Sequence, residues 1–194
     1  MIRKGEEWGT PAGDAAPDLD VAGEDADLAA ALAGAGSDPL VRFSPSANSD
    51  LARAVGLSGG ATGELAVPVD LLRLSSGGVA VNTVVLGVPP DGLRWWHRPF
   101  RVEVVADGTA LAVARATTVL VANGQFLRGF DVSPRGHPGD GWCEVQVYAL
   151  PPGQVPAMRA RLRSGTHVPH PGITVRRARS VVVRCEREIP VEVD

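Results

Sequence analysis

The segment 21–32, VAGEDADLAAAL, has the order of residue types found where a β-strand turns into an α-helix beside a bound phosphate. Backbone N–H groups at the helix N-terminus hold such a phosphate, and glycines normally let the anion approach them. Here Glu24, Asp25, Ala26 and Asp27 follow Gly23, so three carboxylates stand in the loop. The sequence leaves three interpretations open: a working phosphate loop, an altered one, or an ordinary capped helix.

The composition of the whole chain is typical of a globular protein with one main core. Its 194 residues are 44% hydrophobic and 21% charged. A net charge of −3 argues against a nucleic-acid partner. Acids are concentrated in residues 1–50, whereas residues 151–187 contain eight arginines and one glutamate. These arginines are either solvated helix and strand positions or a surface for anionic lipid headgroups or phosphate.

The cysteines and the N-terminus bear on the cellular compartment. Cys143 and Cys185 lie in apolar, strand-like segments and are expected to be buried thiols. The first residues lack the apolar region of a signal peptide, and no segment approaches the length needed to cross a bilayer. We expect a cytoplasmic protein, with peripheral membrane attachment as an alternative.

The N-terminal part of the chain divides into two regions. Residues 1–17 are rich in Gly, Pro and Asp and are expected to be loosely ordered. Residues 18–60 predict strand, helix, strand and helix, a partial α/β unit too short to close a sheet. Gly23 or Asp25 is expected to cap the first helix, and Ser46 or Asn48 the second.

Residues 61–194 follow a different pattern, because apolar residues alternate with a period of two. About six to eight strands are expected, which favours an antiparallel sandwich or barrel. Asp107–Gly108 predicts a hairpin turn, and one helix is expected over 151–165. The strand candidates cover 64–74, 78–88, 100–123, 142–150 and 173–193.

Three segments of this second part carry longer patterns, namely VAVNTVVLG at 79–87, VLVANGQFLRGFDVSPRGHPGDGWCEVQVYAL at 119–150 and RSGTHVPHPGITVRRARSVVVRCEREIPVEVD at 163–194. They resemble the C-terminal half of the diacylglycerol kinase-like lipid kinases, in the superfamily that includes the NAD kinases. The chain is identified as a degenerate, N-terminally truncated bacterial member. The resemblance implies an α+β or mainly β fold: a β-sandwich lipid-kinase C-terminal domain over 61–194, joined to an incomplete α/β nucleotide-binding segment over 18–60.

The resemblance extends to two N-terminal loops. AGEDADL stands where the family has Gly-Gly-Asp-Gly-Thr, and SANSDLAR stands where it has roughly Gly-Thr-x-Asn-Asp-Phe/Leu-Ala-Arg. Gly23, Asp25 and Asp50 keep the family's residue types. The positions that the resemblance assigns to nucleotide binding are Gly23, Glu24, Asp25, Ser46, Asn48 and Asp50.

The substituted residues in the first loop oppose a phosphate. Glu24 adds bulk and charge, and two like charges ~4 Å apart repel by roughly 4 kcal/mol at an effective dielectric near 20. Asp27 adds a second charge in place of a hydroxyl. A bound Mg²⁺ would reverse the sign, since carboxylates bind it well. We expect ATP and Mg²⁺ to bind weakly or not at all, and we prefer a former phosphate loop that now acts as a capped turn.

For two further acids, Asp194 and Asp140, only the resemblance implies a functional role. Asp194 matches the start of the family's Asp-Gly-Glu ending and is the implied catalytic residue; a solvated chain end is the alternative. Asp140 lies in a loop that holds a structural Mg²⁺ in bacterial relatives, but Arg135 and Gly139 replace acids there.

The histidines and tryptophans have structural explanations as well as functional ones. His167 and His170 are expected to pack in turns, and Trp95–Trp96 to lie in the core, with an exposed lipid-facing patch as the alternative. The expected function is that of a diacylglycerol kinase-like protein, weakly active or inactive as an ATP-dependent lipid kinase. The alternative is a non-catalytic lipid- or protein-binding subunit. A lipid or membrane partner and a homo-oligomer are expected, the latter because a partial sheet leaves open edges.

Overall fold

The computed structural model of the protein describes residues 9–36, 38–57 and 65–194. Its N-terminal part is a short strand followed by a strand–helix–strand–helix unit, as predicted. The elements are β1 (Thr10–Pro11), β2 (Leu19–Gly23), α1 (Asp25–Ala33), β3 (Val41–Pro45) and α2 (Asp50–Ala54). β2 and β3 pair in parallel and α1 crosses between them. Residues 1–8 of the region expected to be loosely ordered, and the boundary at 60/61, lie outside the described residues.

The rest of the chain is mostly β-strand. The strands are β4 (Leu65–Ala66), β5 (Leu72–Arg73), β6 (Val79–Ala80), β7 (Thr83–Gly87), β8 (Phe100–Ala106), β9 (Thr109–Ala116), β10 (Thr118–Ala122), β11 (Phe126–Leu127), β12 (Phe130–Asp131), β13 (Cys143–Tyr148), β14 (Ile173–Ala178), β15 (Val181–Cys185) and β16 (Val191–Val193). A 3₁₀ turn at Pro152–Gln154 leads into α3 (Val155–Leu162), which confirms the predicted helix. The candidate strand over 64–74 forms only the short β4 and β5.

Two antiparallel sheets form a sandwich, as the fold class predicted. One sheet has the order β14-β13-β10-β7-β16 and the other β15-β8-β9. Their facing side chains make the main core, in which alternate residues of each strand point inward, for example Val102, Val104, Val119, Val145 and Val147. The predicted hairpin joins β8 to β9, and both Asp107 and Gly108 have positive φ, 49° and 76°. This pair of angles suits the twist of the flanking strands.

A second apolar cluster covers the other face of the five-stranded sheet. Leu120 and Tyr148 of that face pack with Met158 and Leu162 of α3. A third, smaller cluster lies in the N-terminal unit and reaches the sandwich through the buried Val81. The N-terminal unit is thus packed against the residues between β6 and β7.

The sheet face under α3 also carries a row of buried polar side chains from β13. The Tyr148 hydroxyl donates to Gln146 Oε1 (2.5 Å), and Gln146 Nε2 donates to Glu144 Oε1 (2.6 Å) and to the carbonyl of Val132 (2.7 Å). The His167 ring stacks on Tyr148, with centroids 6.4 Å apart. Burial lowers the pKa of His167 to about 4, so this histidine is neutral at physiological pH and packs as expected.

Two expectations about burial need correction. Trp95 and Trp96 are 61% and 58% exposed, so the prediction that they lie in the core is wrong. The flanking Leu93 and Phe100, 0% and 2% exposed, take the inward positions of that turn. Of the two cysteines, Cys143 is buried but Cys185 is only half-buried. Within the described residues, every helix is too short or too polar to cross a bilayer.

Candidate functional site

The loop before α1 is closed by the chain's own carboxylates. Glu24 is the N-cap residue, which corrects the prediction of Gly23 or Asp25. Its backbone N–H donates to Asp27 Oδ2 (2.8 Å), and its side chain accepts from the N–H of Asp27, which completes a capping box. Gly23 has φ +135°, and a Cβ there would collide with the Asp27 carboxylate. The glycine is therefore required by the capping acid that lies against it.

The start of α2 is bound by a carboxylate from α1. Asp25, 6% exposed, accepts hydrogen bonds from Ser49 Oγ (2.5 Å), the N–H of Asp50 (3.1 Å) and the N–H of Leu51 (2.9 Å). Ser49 is the N-cap residue and accepts from the N–H of Ala52, which corrects the prediction of Ser46 or Asn48. Asp25 supplies a negative charge where the helix dipole and the unpaired N–H groups favour one.

Ser46 and Asn48 instead shape the turn before α2. The Ser46 N–H donates to the carbonyl of Gly23 (2.7 Å), and its hydroxyl accepts from the N–H of Asn48 (3.2 Å). Asn48 Nδ2 donates to Glu24 Oε1 (3.1 Å). These contacts join the two predicted loops directly, although 24 residues separate Glu24 from Asn48 in the sequence.

Asp50 connects α2 to the sandwich. Its carboxylate accepts from the backbone N–H groups of Arg128 and Gly129, the latter at 2.8 Å, and lies 3.7 Å from Arg53 Nε. Burial raises the pKa of Asp50, and the neighbouring charge of Asp25 acts in the same direction. The carboxyl group is thus close to the acid Asp25 and to one cation, the guanidinium of Arg53.

Asp194 lies over the chain between β6 and β7. Its carboxylate accepts from the N–H groups of Val81 (2.9 Å), Asn82 (3.0 Å) and Thr83 (2.6 Å). Burial raises the pKa of Asp194, the three N–H donors lower it, and the charge of Asp25 raises it again. The side chain of Asp194 is therefore a fixed part of this region, which differs from the alternative of a solvated end.

Asp25, Asp50 and Asp194 together form what we call the acidic junction, between the N-terminal unit and the sandwich. Asp25 raises the pKa of both other acids, so the three charges interact. Gly23, Glu24, Ser46 and Asn48 line the same junction through the contacts given above. The structure brings the two predicted loops into contact, and the charge of Asp25 acts on Asp194.

Asp140 belongs to a different set of contacts. Its carboxylate forms an ion pair with Arg177 (2.5 Å) and accepts from the N–H of Trp142 (3.0 Å). In the part of the chain that the structure describes, no group of three His, Cys, Asp or Glu side chains is arranged to hold a metal ion. The donor set around Asp140, one carboxylate against an arginine, does not fit a hard dication.

Sequence reasoning missed Arg128. This residue has φ +51°, and its guanidinium forms ion pairs with Asp91 (3.3 Å) and Glu192 (2.5 Å) while its N–H donates to Asp50. The available signal was the Arg-Gly pair between Phe126 and Phe130, a turn with one cation between two aromatics. Arg53 places its guanidinium beside Asp50, whereas Arg128 contacts Asp50 through its backbone N–H and keeps its guanidinium on Asp91 and Glu192.

Known proteins resemble this chain in fold, and one protein family matches its sequence. Residues 92–194, just over half of the chain, match the family of the YegS C-terminal NAD kinase β-sandwich-like domain. A structure of a candidate diacylglycerol kinase from Bacillus anthracis strain Sterne superposes with a TM-score of 0.75 at 18% identity, covering 91% of this chain and 70% of that one. A structure of a diacylglycerol kinase from the same strain gives 0.70 at 20% identity, covering 91% and 68%. No curated protein matches the sequence significantly.

Proposed function

Since this chain belongs to the family of the YegS C-terminal NAD kinase β-sandwich-like domain, among the diacylglycerol kinase-like lipid kinases, we propose that it is a lipid-kinase relative that binds ATP weakly and transfers its phosphate slowly or not at all. The fold is that of a lipid kinase. What distinguishes this chain is the state of the loops that would receive a nucleotide.

The observation that carries the proposal is the occupation of backbone N–H donors at the acidic junction. The donors at the start of α1 bind Glu24 and Asp27, and those at the start of α2 bind Asp25. A phosphate binds a helix N-terminus because such N–H groups are free and point at it. A phosphate oxygen bound at these N–H groups would have to displace a carboxylate of the chain.

The negative charge of the acidic junction also opposes phosphate binding. A phosphate near Glu24 would meet the acids of both helix starts, and each like charge at ~4 Å costs roughly 4 kcal/mol at an effective dielectric near 20. Arg53 and Arg128 are already engaged by Asp50, Asp91 and Glu192. ATP with Mg²⁺ therefore does not fit the residues present.

Calorimetric titration with ATP and MgCl₂ tests the proposal, together with a variant that combines Glu24→Gly, Ala26→Gly and Asp27→Thr. We expect no saturable binding of sub-millimolar ATP to the natural chain. The variant frees backbone donors and removes two charges, so its affinity should rise by about tenfold or more. Since glycine in a helix costs about 1 kcal/mol, the titrations are run well below the unfolding temperature.

A charge-matched control separates the effect of the loop substitutions from the effect of lowering the net negative charge. Glu103→Gln with Glu188→Gln also removes two negative charges, but on the sandwich, and should leave ATP binding unchanged. A parallel assay follows phosphate transfer from labelled ATP to diacylglycerol. Saturable sub-millimolar ATP binding by the natural chain, or turnover comparable to that of an active lipid kinase, overturns the proposal.

A further inference from the structure

The turn between β7 and β8, residues 88–99, presents two tryptophans to solvent. Trp95 and Trp96 are 61% and 58% exposed, and their rings meet edge to face with centroids 5.4 Å apart. Large aromatic side chains bury much apolar area, so an adjacent exposed pair is unusual unless something covers it.

The turn is fixed on the sandwich and holds the pair outward. Leu93 is fully buried beneath it and Phe100 begins β8 inside the main core. Within the turn, the N–H of Arg94 donates to His97 Nδ1 (3.0 Å), and its guanidinium donates to the carbonyls of Gly92 (3.2 Å) and Leu93 (3.3 Å). The exposure of the indoles is therefore imposed by the packing of the turn.

Arginines lie in and beside the turn that carries the tryptophans. Arg94 and Arg98 lie in the turn itself; Arg115 Nη2 donates to the carbonyl of Pro99 (3.3 Å), and Arg159 Nε to that of Asp91 (2.9 Å). Arg101 is paired directly opposite Arg115 across β8 and β9. Like charges directly opposite in a sheet destabilise it, so this pairing indicates a use for the positive charge.

Two acids contact this surface, and both are engaged. Asp91 forms an ion pair with Arg128, and Glu186 Oε1 accepts from the N–H of Arg101 (3.0 Å). The region keeps an excess of positive charge around two indoles. We call Trp95, Trp96, Arg94, Arg98, Arg101, Arg115 and Arg159 the Trp–Arg surface.

We propose that the Trp–Arg surface docks this protein on an anionic lipid bilayer. An indole is apolar over its rings and polar at its N–H, and therefore suits the boundary between acyl chains and headgroups. Arginines near the surface of an anionic leaflet are attracted to its phosphates. The two indoles share one fixed turn with Arg94 and Arg98, and Arg101, Arg115 and Arg159 lie on the elements that flank it.

The same turn connects the Trp–Arg surface to the acidic junction. Asp91 pairs with the guanidinium of Arg128, whose N–H donates to Asp50. The turn that would meet the bilayer is therefore linked to the junction by two successive contacts. This inference goes beyond the proposed function, because bilayer binding requires neither ATP nor turnover.

Co-sedimentation with vesicles tests the docking. Vesicles of phosphatidylcholine with phosphatidylglycerol should bind the natural chain, and vesicles of phosphatidylcholine alone should bind it weakly. Trp95→Ser with Trp96→Ser should lower the partition coefficient by about tenfold or more, because two large apolar groups no longer leave water. Arg98→Gln should lower it by about fivefold.

Matched control variants test whether vesicle binding depends on the Trp–Arg surface in particular. Trp142→Phe and the exposed Arg176→Gln change the same residue types elsewhere and should bind as the natural chain does. Circular dichroism checks that each variant is folded. Equal binding by the Trp95→Ser/Trp96→Ser variant, equal binding to both kinds of vesicle, or no binding at all overturns the proposal.

Two further outcomes would also overturn it. Inorganic phosphate at matched ionic strength should not displace the protein from vesicles; displacement would indicate a site for free phosphate. Light scattering should give the same mass for the natural chain and the double-serine variant. A dimer that the two serines dissociate would identify the Trp–Arg surface as a protein interface.

Discussion

Removing the carboxylate of Asp25 should destabilise this fold more than the loss of an ordinary helix cap. In Asp25→Ala, Ser49 Oγ and the N–H groups of Asp50 and Leu51 lose their acceptor inside the protein. A buried donor left unpaired costs about 1–3 kcal/mol. Relief of the repulsion from Asp50 and Asp194 returns part of this cost. We expect a net loss of about 2–4 kcal/mol in the free energy of unfolding.

Urea unfolding of matched variants measures this loss. Asp25→Asn keeps one acceptor oxygen and removes the charge, so it should lose about half as much stability as Asp25→Ala. Asp27→Ala, at an exposed position two residues away, loses one bond to the N–H of Glu24 and should cost about 1 kcal/mol or less. If Asp25→Ala proves as mild as Asp27→Ala, the junction is not held together by Asp25 and the reasoning fails.

Three other measurements test separate features. Burial raises the folded-state pKa of Asp50 and Asp194 above the ordinary value of 3.8. Their contribution to stability is therefore fully present below pH 3.8 and is lost as the pH rises through their folded-state pKa values. As pH rises, the urea midpoint of the Asp194→Asn variant should therefore fall less steeply than that of the natural chain. Identical slopes for the two proteins would contradict this. Gly136→Ala places a Cβ 2.5 Å from the backbone carbonyl of Gly124 and should cost about 1–3 kcal/mol by thermal unfolding, whereas Gly153→Ala, in open space, should be neutral. Because β2 and β3, in the described part of the chain, pair only with each other, the protein should self-associate. A monomeric mass at high concentration in light scattering would count against this.

The sandwich could be predicted from the sequence because burial in strands leaves a period-two pattern. β8 alternates between inward and outward residues, and the Asp107–Gly108 turn has residues that accept positive φ. The pattern failed at 64–74, where the chain forms only two-residue strands. There the neighbouring backbone makes other bonds, such as the N–H of Asp70 to the carbonyl of Pro138, which no local pattern signals.

The residues of the candidate site could be predicted from the sequence, but their hydrogen-bond partners could not. The sequence places Asp25 near a helix start, yet its main partners lie on α2, about 25 residues later. The cap of α1 is Glu24 because it forms a capping box with Asp27, and the cap of α2 is Ser49, whose hydroxyl also bonds to Asp25 of α1. The exposure of Trp95 and Trp96 was mispredicted because hydrophobicity alone does not say which large residues of this segment face inward; Leu93 and Phe100 are buried in two different clusters.

The buried polar row on β13 has a consequence for how the sandwich assembles. Glu144, Gln146 and Tyr148 find one another on one face, while Cys143, Val145 and Val147 fill the opposite core. Sliding this central strand by a single residue would exchange the two sets, and place three hydrogen-bonding groups among valines. Each such group without a partner costs about 1–3 kcal/mol, so misaligned pairings of β13 with β10 and β14 are strongly disfavoured. A chain with valines on both faces of β13 would tolerate several alignments, and aggregation would compete with its folding.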